Sequence, residues 1–135
     1  MNILSSLHQL GDWGLLALRL GVGIIFLVHG SQKRALWSVQ PSAQMPAGML
    51  SILRVLSIAE PLGGLATIVG LLTQAAAAGF IVDMLGAIRL KMMVRHKGFA
   101  GEGGWEFEFL LLVGAIALFF LGAGKFALDR VLLGI

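Results

Sequence analysis

Apolar residues gather into four runs, at about residues 13–31, 49–72, 74–94 and 107–124, with polar positions concentrated between them. Each run is close to the ~20 residues an α-helix needs to cross the hydrocarbon core of a bilayer. Asp12 is placed to N-cap the first helix, Trp13 to anchor it at an interface, and Lys33 and Arg34 mark its exit. Pro61, followed by Gly63 and Gly64, predicts a kink in the second helix. The turn after residue 72 is too short for anything but an antiparallel return, and the small residues 75–79 open the third helix with a surface for close packing. Trp105, Glu106, Phe107 and Glu108 lead into the fourth. Residues 125–135 place apolar side chains at helical spacing between Lys125, Asp129 and Arg130, the pattern of a helix lying along an interface. The expectation is an all-α protein: one domain over residues 1–135, a four-helix transmembrane antiparallel bundle with a short interfacial C-terminal helix.

Composition supports the membrane reading. Hydrophobic residues make up 58% of the chain and charged residues 13%, against roughly 25% charged in ordinary soluble domains. The mean hydropathy is +0.92. The net charge of +3 comes from dispersed lysines and arginines, so no nucleic-acid partner is expected. With no cysteine, the chain performs no thiolate chemistry of its own. Its N-terminus lacks a basic leader region, and the first run is read as a retained helix. The linker of residues 32–48 is long enough to fold over one end as a lid.

Charges inside the apolar runs are the main candidates for chemistry. Arg19, Glu60 and Asp83 sit near the middles of three runs, where an ionisable group needs a partner or a function. Antiparallel topology puts each about 11 or 12 residues from the end bearing the two large loops, roughly 16 to 18 Å deep at 1.5 Å per residue. They therefore form one candidate network in which Arg19 pairs with Glu60, Asp83 or both. One acid in excess of the arginine makes Glu60 or Asp83 a candidate proton carrier. Nearer the loops, His29, Lys33 and Arg54 make a cationic mouth, joined by His96, Glu102, Glu106 and Glu108 from the second loop. A purely structural salt bridge explains the buried charges equally well, and loop cations are also common topology determinants. Two histidines on one side, His29 and His96, are thin support for haem.

The ordered set of LLALRLGVGIIFLVHGSQK, the Glu60-Pro61-Leu62-Gly63-Gly64 segment, Leu71-Leu72-Thr73, the His96-Lys97-Gly98-Phe99 loop, Gly103-Gly104-Trp105-Glu106-Phe107 and the closing GAGKFALDR resembles the DoxX family over nearly the whole length. That resemblance implies a four-helix integral membrane protein. It also implies membership of membrane oxidoreductase systems, such as thiosulfate:quinone oxidoreductase or complexes handling thiols and oxidative stress. The motif positions carried over are Arg19, His29, Gly30, Lys33, Glu60, Gly64, His96, Gly104, Trp105 and Glu106, with no secure catalytic role for any. Glu108 stands where similar sequences often have an apolar residue or proline.

The expected function is a membrane subunit of a quinone-linked oxidoreductase. Glu60, Asp83 and Arg19 would be catalytic; His29, Lys33, Arg54, His96, Trp105 and Glu106 would bind substrate. Quinone is the expected cofactor, and membrane lipid with further oxidoreductase subunits or a second copy the expected partners. A small proton-coupled transporter and a non-catalytic membrane anchor are the alternatives. Lys33, Arg34, Arg95 and Lys97 outweigh Lys125 and Arg130, which places the large loops in the cytoplasm of a prokaryotic inner membrane.

Overall fold

A computed structural model describes residues 3–135, which are all-helical. The helices are α1 (Ile3–His8), α2 (Gly11–Gln32), α3 (Ala47–Val69), α4 (Thr73–Arg89), α5 (Glu106–Leu121) and α6 (Leu128–Leu132). A 3₁₀ turn at Lys33–Ser38 extends α2, and a π-turn at Leu90–Val94 extends α4. Each long apolar run has become one long helix, because a continuous apolar backbone satisfies its own hydrogen bonds best as a helix.

The helix ends correct two expectations. Asp12 is inside the first turn of α2 and does not cap it; its carboxylate accepts from the Lys125 backbone N–H at 2.9 Å and pairs with the Lys125 ammonium at 3.6 Å. The second helix stops at Val69, short of residue 72. Gly70 adopts a left-handed φ of 74°, its N–H bonds to Thr67 O at 3.2 Å, and the Leu71 N–H bonds to Ala66 O at 2.8 Å. That is a Schellman stop, which needs a residue without a Cβ. Helix α3 continues unbroken through Pro61, whose ring packs where a side chain on Gly30 would stand.

The four longest helices pack in ring order, each antiparallel to its neighbours. Helices α2 and α3 approach most closely. A Cβ on Gly64 would lie 2.6 Å from Gly23 O and 2.7 Å from Leu27 N, so both backbones come together only because the position is glycine. Gln74 Nε2 donates to Phe119 O at 2.7 Å across α4 and α5. Phe80 of α4 closes on Gly63 of α3, and Val22 of α2 on Gly114 of α5. Between them lies a core of Val22, Phe26, Phe80, Met84, Leu111 and Leu118 with smaller alanines.

Outward faces are apolar as well. Ile24 of α2, Ile52 and Leu62 of α3, Val82 of α4, and Leu110 and Phe120 of α5 are all exposed. Apolar surface this extensive, on every long helix, is the reverse of a water-soluble exterior. Two helical segments, Gly11–Ser38 and Ala47–Val69, are long and apolar enough by themselves to cross a membrane.

The end that carries the chain termini is tied together by the C-terminal segment. Asp129, 4% exposed, accepts from the backbone N–H groups of Leu72 at 2.5 Å and Thr73 at 2.9 Å, and its own N–H donates to Gly70 O at 2.7 Å. It therefore satisfies donors that the start of α4 would leave without partners.

Candidate functional site

The ionisable residues placed in one layer by sequence separate in space, chiefly because of the register of α2 against α3. Gly30 packs on Glu60 and Pro61, and Gly23 on Gly64 and Ile68, which leaves Arg19 about 11 residues along α2 from the level of Glu60. Side-chain direction widens the gap. In a helix each Cα–Cβ bond tilts toward the helix N-terminus. Helices α2 and α3 are antiparallel, so Arg19 reaches toward the termini end while Glu60 reaches toward the loop end. Arg19 does not pair with Glu60 or Asp83. Its guanidinium, 1% exposed, donates to Thr67 O at 3.0 Å, Ile68 O at 2.9 Å, Ala123 O at 2.8 Å and Phe126 O at 3.2 Å. Those carbonyls belong to the last turn of α3 and to the segment after α5. Arg19 is a clamp on two chain ends, with the Asp129 carboxylate as a compensating charge.

The partner of Glu60 is Lys33, which hangs from the start of the 3₁₀ turn and points back along α2 into the protein. Glu60 is 2% exposed. The carboxyl of Asp83, from α4, lies beside Glu60 and in the field of Lys33. Glu60 Oε2 and Asp83 Oδ2 are buried with no hydrogen-bond partner. Two acids and one ammonium thus share a single site.

That site opens into a cavity of about 730 Å³ among α2, α3, α4 and α5, at their loop-end half. Phe26, stacked on Phe80 with ring centroids 3.7 Å apart, lies at its base with Met84. Polar lining comes from His29, Lys33, Glu60, Asp83 and Glu108, and the remainder is apolar. His29 is exposed, its ring 5.5 Å from that of Phe107. Size and lining suit a ligand whose ring-sized body is held by apolar walls and oriented by a few polar groups.

Four expected binding residues stand elsewhere. Arg54 does not reach the cavity: it donates to Leu36 O at 3.1 Å and Val39 O at 2.7 Å, with its guanidinium 5.7 Å from the Trp37 ring. Trp37 Nε1 in turn donates to Ser57 Oγ at 2.9 Å. The linker expected as a lid is fastened along α3 by these bonds. His96 is exposed at a left-handed φ of 49°. Trp105 packs on Phe99 and Phe109, and Glu106 is exposed at the start of α5. The cationic mouth therefore dissolves, because Lys33 is engaged by Glu60 and Arg54 by carbonyls.

Sequence reasoning placed Glu108 in the mouth but did not single it out, and it missed Lys91. Lys91 Nζ pairs with Glu108 at 2.7 Å and donates to Gly104 O at 2.9 Å, while Glu108 Oε2 is buried without a partner. The available signal was that an antiparallel α4–α5 hairpin sets a lysine at the end of one helix opposite an acid at the start of the next.

The family model described as DoxX matches residues 14–96. The chain belongs to the DoxX family. It is similar to the "Uncharacterized membrane protein Rv3486" of Mycobacterium tuberculosis (strain ATCC 25618 / H37Rv), 31% identical over 142 residues that cover 92% of this chain and 84% of that protein. It is also similar to the "Putative oxidoreductase CatD" of Bacillus subtilis (strain 168), 34% identical over 120 residues, covering 86% and 84% respectively. No solved structure matches. The DoxX match holds the carboxyl pair, His29, Lys33 and Lys91, and ends before α5, so Glu108 lies beyond it.

Proposed function

We propose that this DoxX protein is a membrane subunit of a quinone-linked oxidoreductase, with the quinone head in the cavity beside Glu60 and Asp83. The observation that carries the reading is the buried carboxyl pair, held by Lys33 and facing an apolar cavity of about 730 Å³. One proton between the two acids would give both unpartnered oxygens a hydrogen bond and leave the site neutral against Lys33. A quinone carbonyl needs a donor, which that proton or a free Lys33 N–H supplies; a quinol hydroxyl needs an acceptor, which the deprotonated pair supplies. Reduction of a quinone to the quinol takes two electrons and two protons. The pair delivers protons through general acid–base exchange, refilled from the loop end past Glu108, while electrons come from a partner subunit or a reduced sulfur substrate. The relative named a putative oxidoreductase agrees with this class of reaction.

In this reading α2, α3, α4 with its π-turn, and α5 are four spans, with α6 lying at the interface. The exposed apolar faces of all four helices support it. Large loops are cytoplasmic by their excess of Lys and Arg. Purified protein should bind a quinone, and Glu60→Gln or Asp83→Asn should reduce quinone turnover in the native complex. Absence of quinone binding together with unchanged turnover in both variants would refute the proposal.

A second reading, proton-coupled transport of a small lipophilic cation, gains from the position of Arg19, which no longer neutralises the acids. Proton-coupled flux in liposomes, lost in Glu60→Gln, would favour it over electron transfer.

A further inference from the structure

The walls of the cavity are unequal. On the inner side Phe26, Met84 and Leu111 are buried and close it. Along the seam between α3 and α4 the residues that line the cavity are also surface residues: Ile52 is 63% exposed and Val82 72%, and Gly79 and Gly86 are exposed with them. A Cβ added to Gly79 or Gly86 would meet no heavy atom within 4 Å, in contrast to Gly23, Gly30 and Gly64, which are packed against neighbouring backbone or side chains. Those two glycines therefore serve no helix contact and leave a gap. Gly79, Val82, Asp83 and Gly86 follow the i, i+3, i+4, i+7 spacing of one helix face, so the acid stands in the gap between them. Opposite, Leu56 and Ile52 lie one and two turns from Glu60 on α3.

Three acceptors in the cavity are left without donors. Glu60 Oε2, Asp83 Oδ2 and Glu108 Oε2 are buried without partners and all three residues line it. Buried acceptors of this kind are ordinarily satisfied, and a bound hydroxyl or ammonium group would satisfy them.

We infer that the cavity takes a lipid-soluble amphiphile with a hydrogen-bond-donating head, which slides in from the bilayer through the α3–α4 seam past Gly79 and Gly86. The inference rests on reading the cavity as a ligand site, as in the proposed function, and does not depend on electron transfer. The head sits beside Glu60 and Asp83, and the tail lies in the seam against Ile52, Leu56 and Val82.

The test uses the full chain in lipid nanodiscs with three probes: a decyl-substituted hydroquinone, its dimethyl ether of similar shape without donors, and hydroquinone with no tail. The decyl hydroquinone should bind about tenfold or more tighter than the ether, as expected for two lost hydrogen bonds. In the Gly79→Leu/Gly86→Leu double variant, association of the tailed probe should slow about tenfold while binding of the tail-less probe persists, as expected when a wall is filled but the acids are intact. Because the chain has no cysteine, Val82→Cys supplies a unique thiol, and the tailed probe should protect it from a lipid-soluble maleimide while leaving Glu102→Cys in the loop unprotected. Equal affinity for the ether, undiminished association in the double variant, or no protection at position 82 would overturn the inference. Binding and protection as described, with no quinone turnover in the native complex, would refute the oxidoreductase reading alone.

Discussion

Replacing Arg19 by methionine keeps the length and apolar body of the side chain and removes its charged donors. Four carbonyls lose a partner: Thr67 and Ile68 at the end of α3, Ala123 and Phe126 after α5. At about 1.5–3 kcal/mol per charged hydrogen bond, simple addition gives about 6 to 12 kcal/mol, which overstates the effect. Thr67 O keeps the bond from the Gly70 N–H, and the carbonyls of Ile68 and Phe126 lie in partly buried surroundings where water can replace the guanidinium. The uncompensated loss is then of the size seen on breaking a buried charge contact, about 3–5 kcal/mol. Thermal unfolding in detergent should show a midpoint lowered by about 10 °C or more, taking a few degrees per kcal/mol for a chain of this size. Arg19→Lys, which keeps the charge but loses the planar fork, should fall between. Ligand binding in the cavity should be retained below the unfolding temperature, because the guanidinium is turned away from Glu60 and Asp83. An Arg19→Met protein as stable as the parent, yet unable to bind ligand, would refute the clamp and return Arg19 to the site.

Lys33→Met should destabilise by about 3 kcal/mol by leaving Glu60 buried without its ammonium, and adding Glu60→Gln should recover most of that in a double-mutant cycle read by thermal unfolding. Gly64→Ala should cost about 1–3 kcal/mol, since the new methyl meets the backbone of Gly23 and Leu27, which cannot turn aside as a side chain would; a chemical-denaturation midpoint measures it. Asp129→Ala should cost about 1–2 kcal/mol and raise hydrogen exchange at Leu72 and Thr73, with Asp129→Asn intermediate because one amide oxygen can still accept.

The site was partly legible in the chain. Glu60 and Asp83 stood out because a carboxyl in an apolar run is costly, and the antiparallel order brings them together. Lys33 and His29 also fall at the cavity from their positions near the helix end. Arg54 had a depth close to theirs and yet serves the linker, because its rotation around α3 turns it toward the carbonyls of Leu36 and Val39. Lys91 meets Glu108 from within a π-turn at Leu90–Val94, closed by the Arg95 N–H to Leu90 O bond at 3.1 Å. The apolar spacing of the third run does not encode that turn.

From the sequence alone came the helical class, the four long elements and their antiparallel order. Each follows from run length, from turn length and from the need of an apolar backbone to bond to itself. Tertiary structure decided which buried charge meets which partner. Depth along one helix is a matter of counting, but the register between two helices is set by their packing, here by where Gly23 and Gly64 let α2 and α3 meet. Arg19 and Glu60 match by count but not in space, because Gly30, and not Arg19, stands beside Glu60. The cavity, with its closed inner wall and open α3–α4 seam, likewise exists only in the packing, where Gly23 and Gly64 draw two helices together and Gly79 and Gly86 leave two others apart.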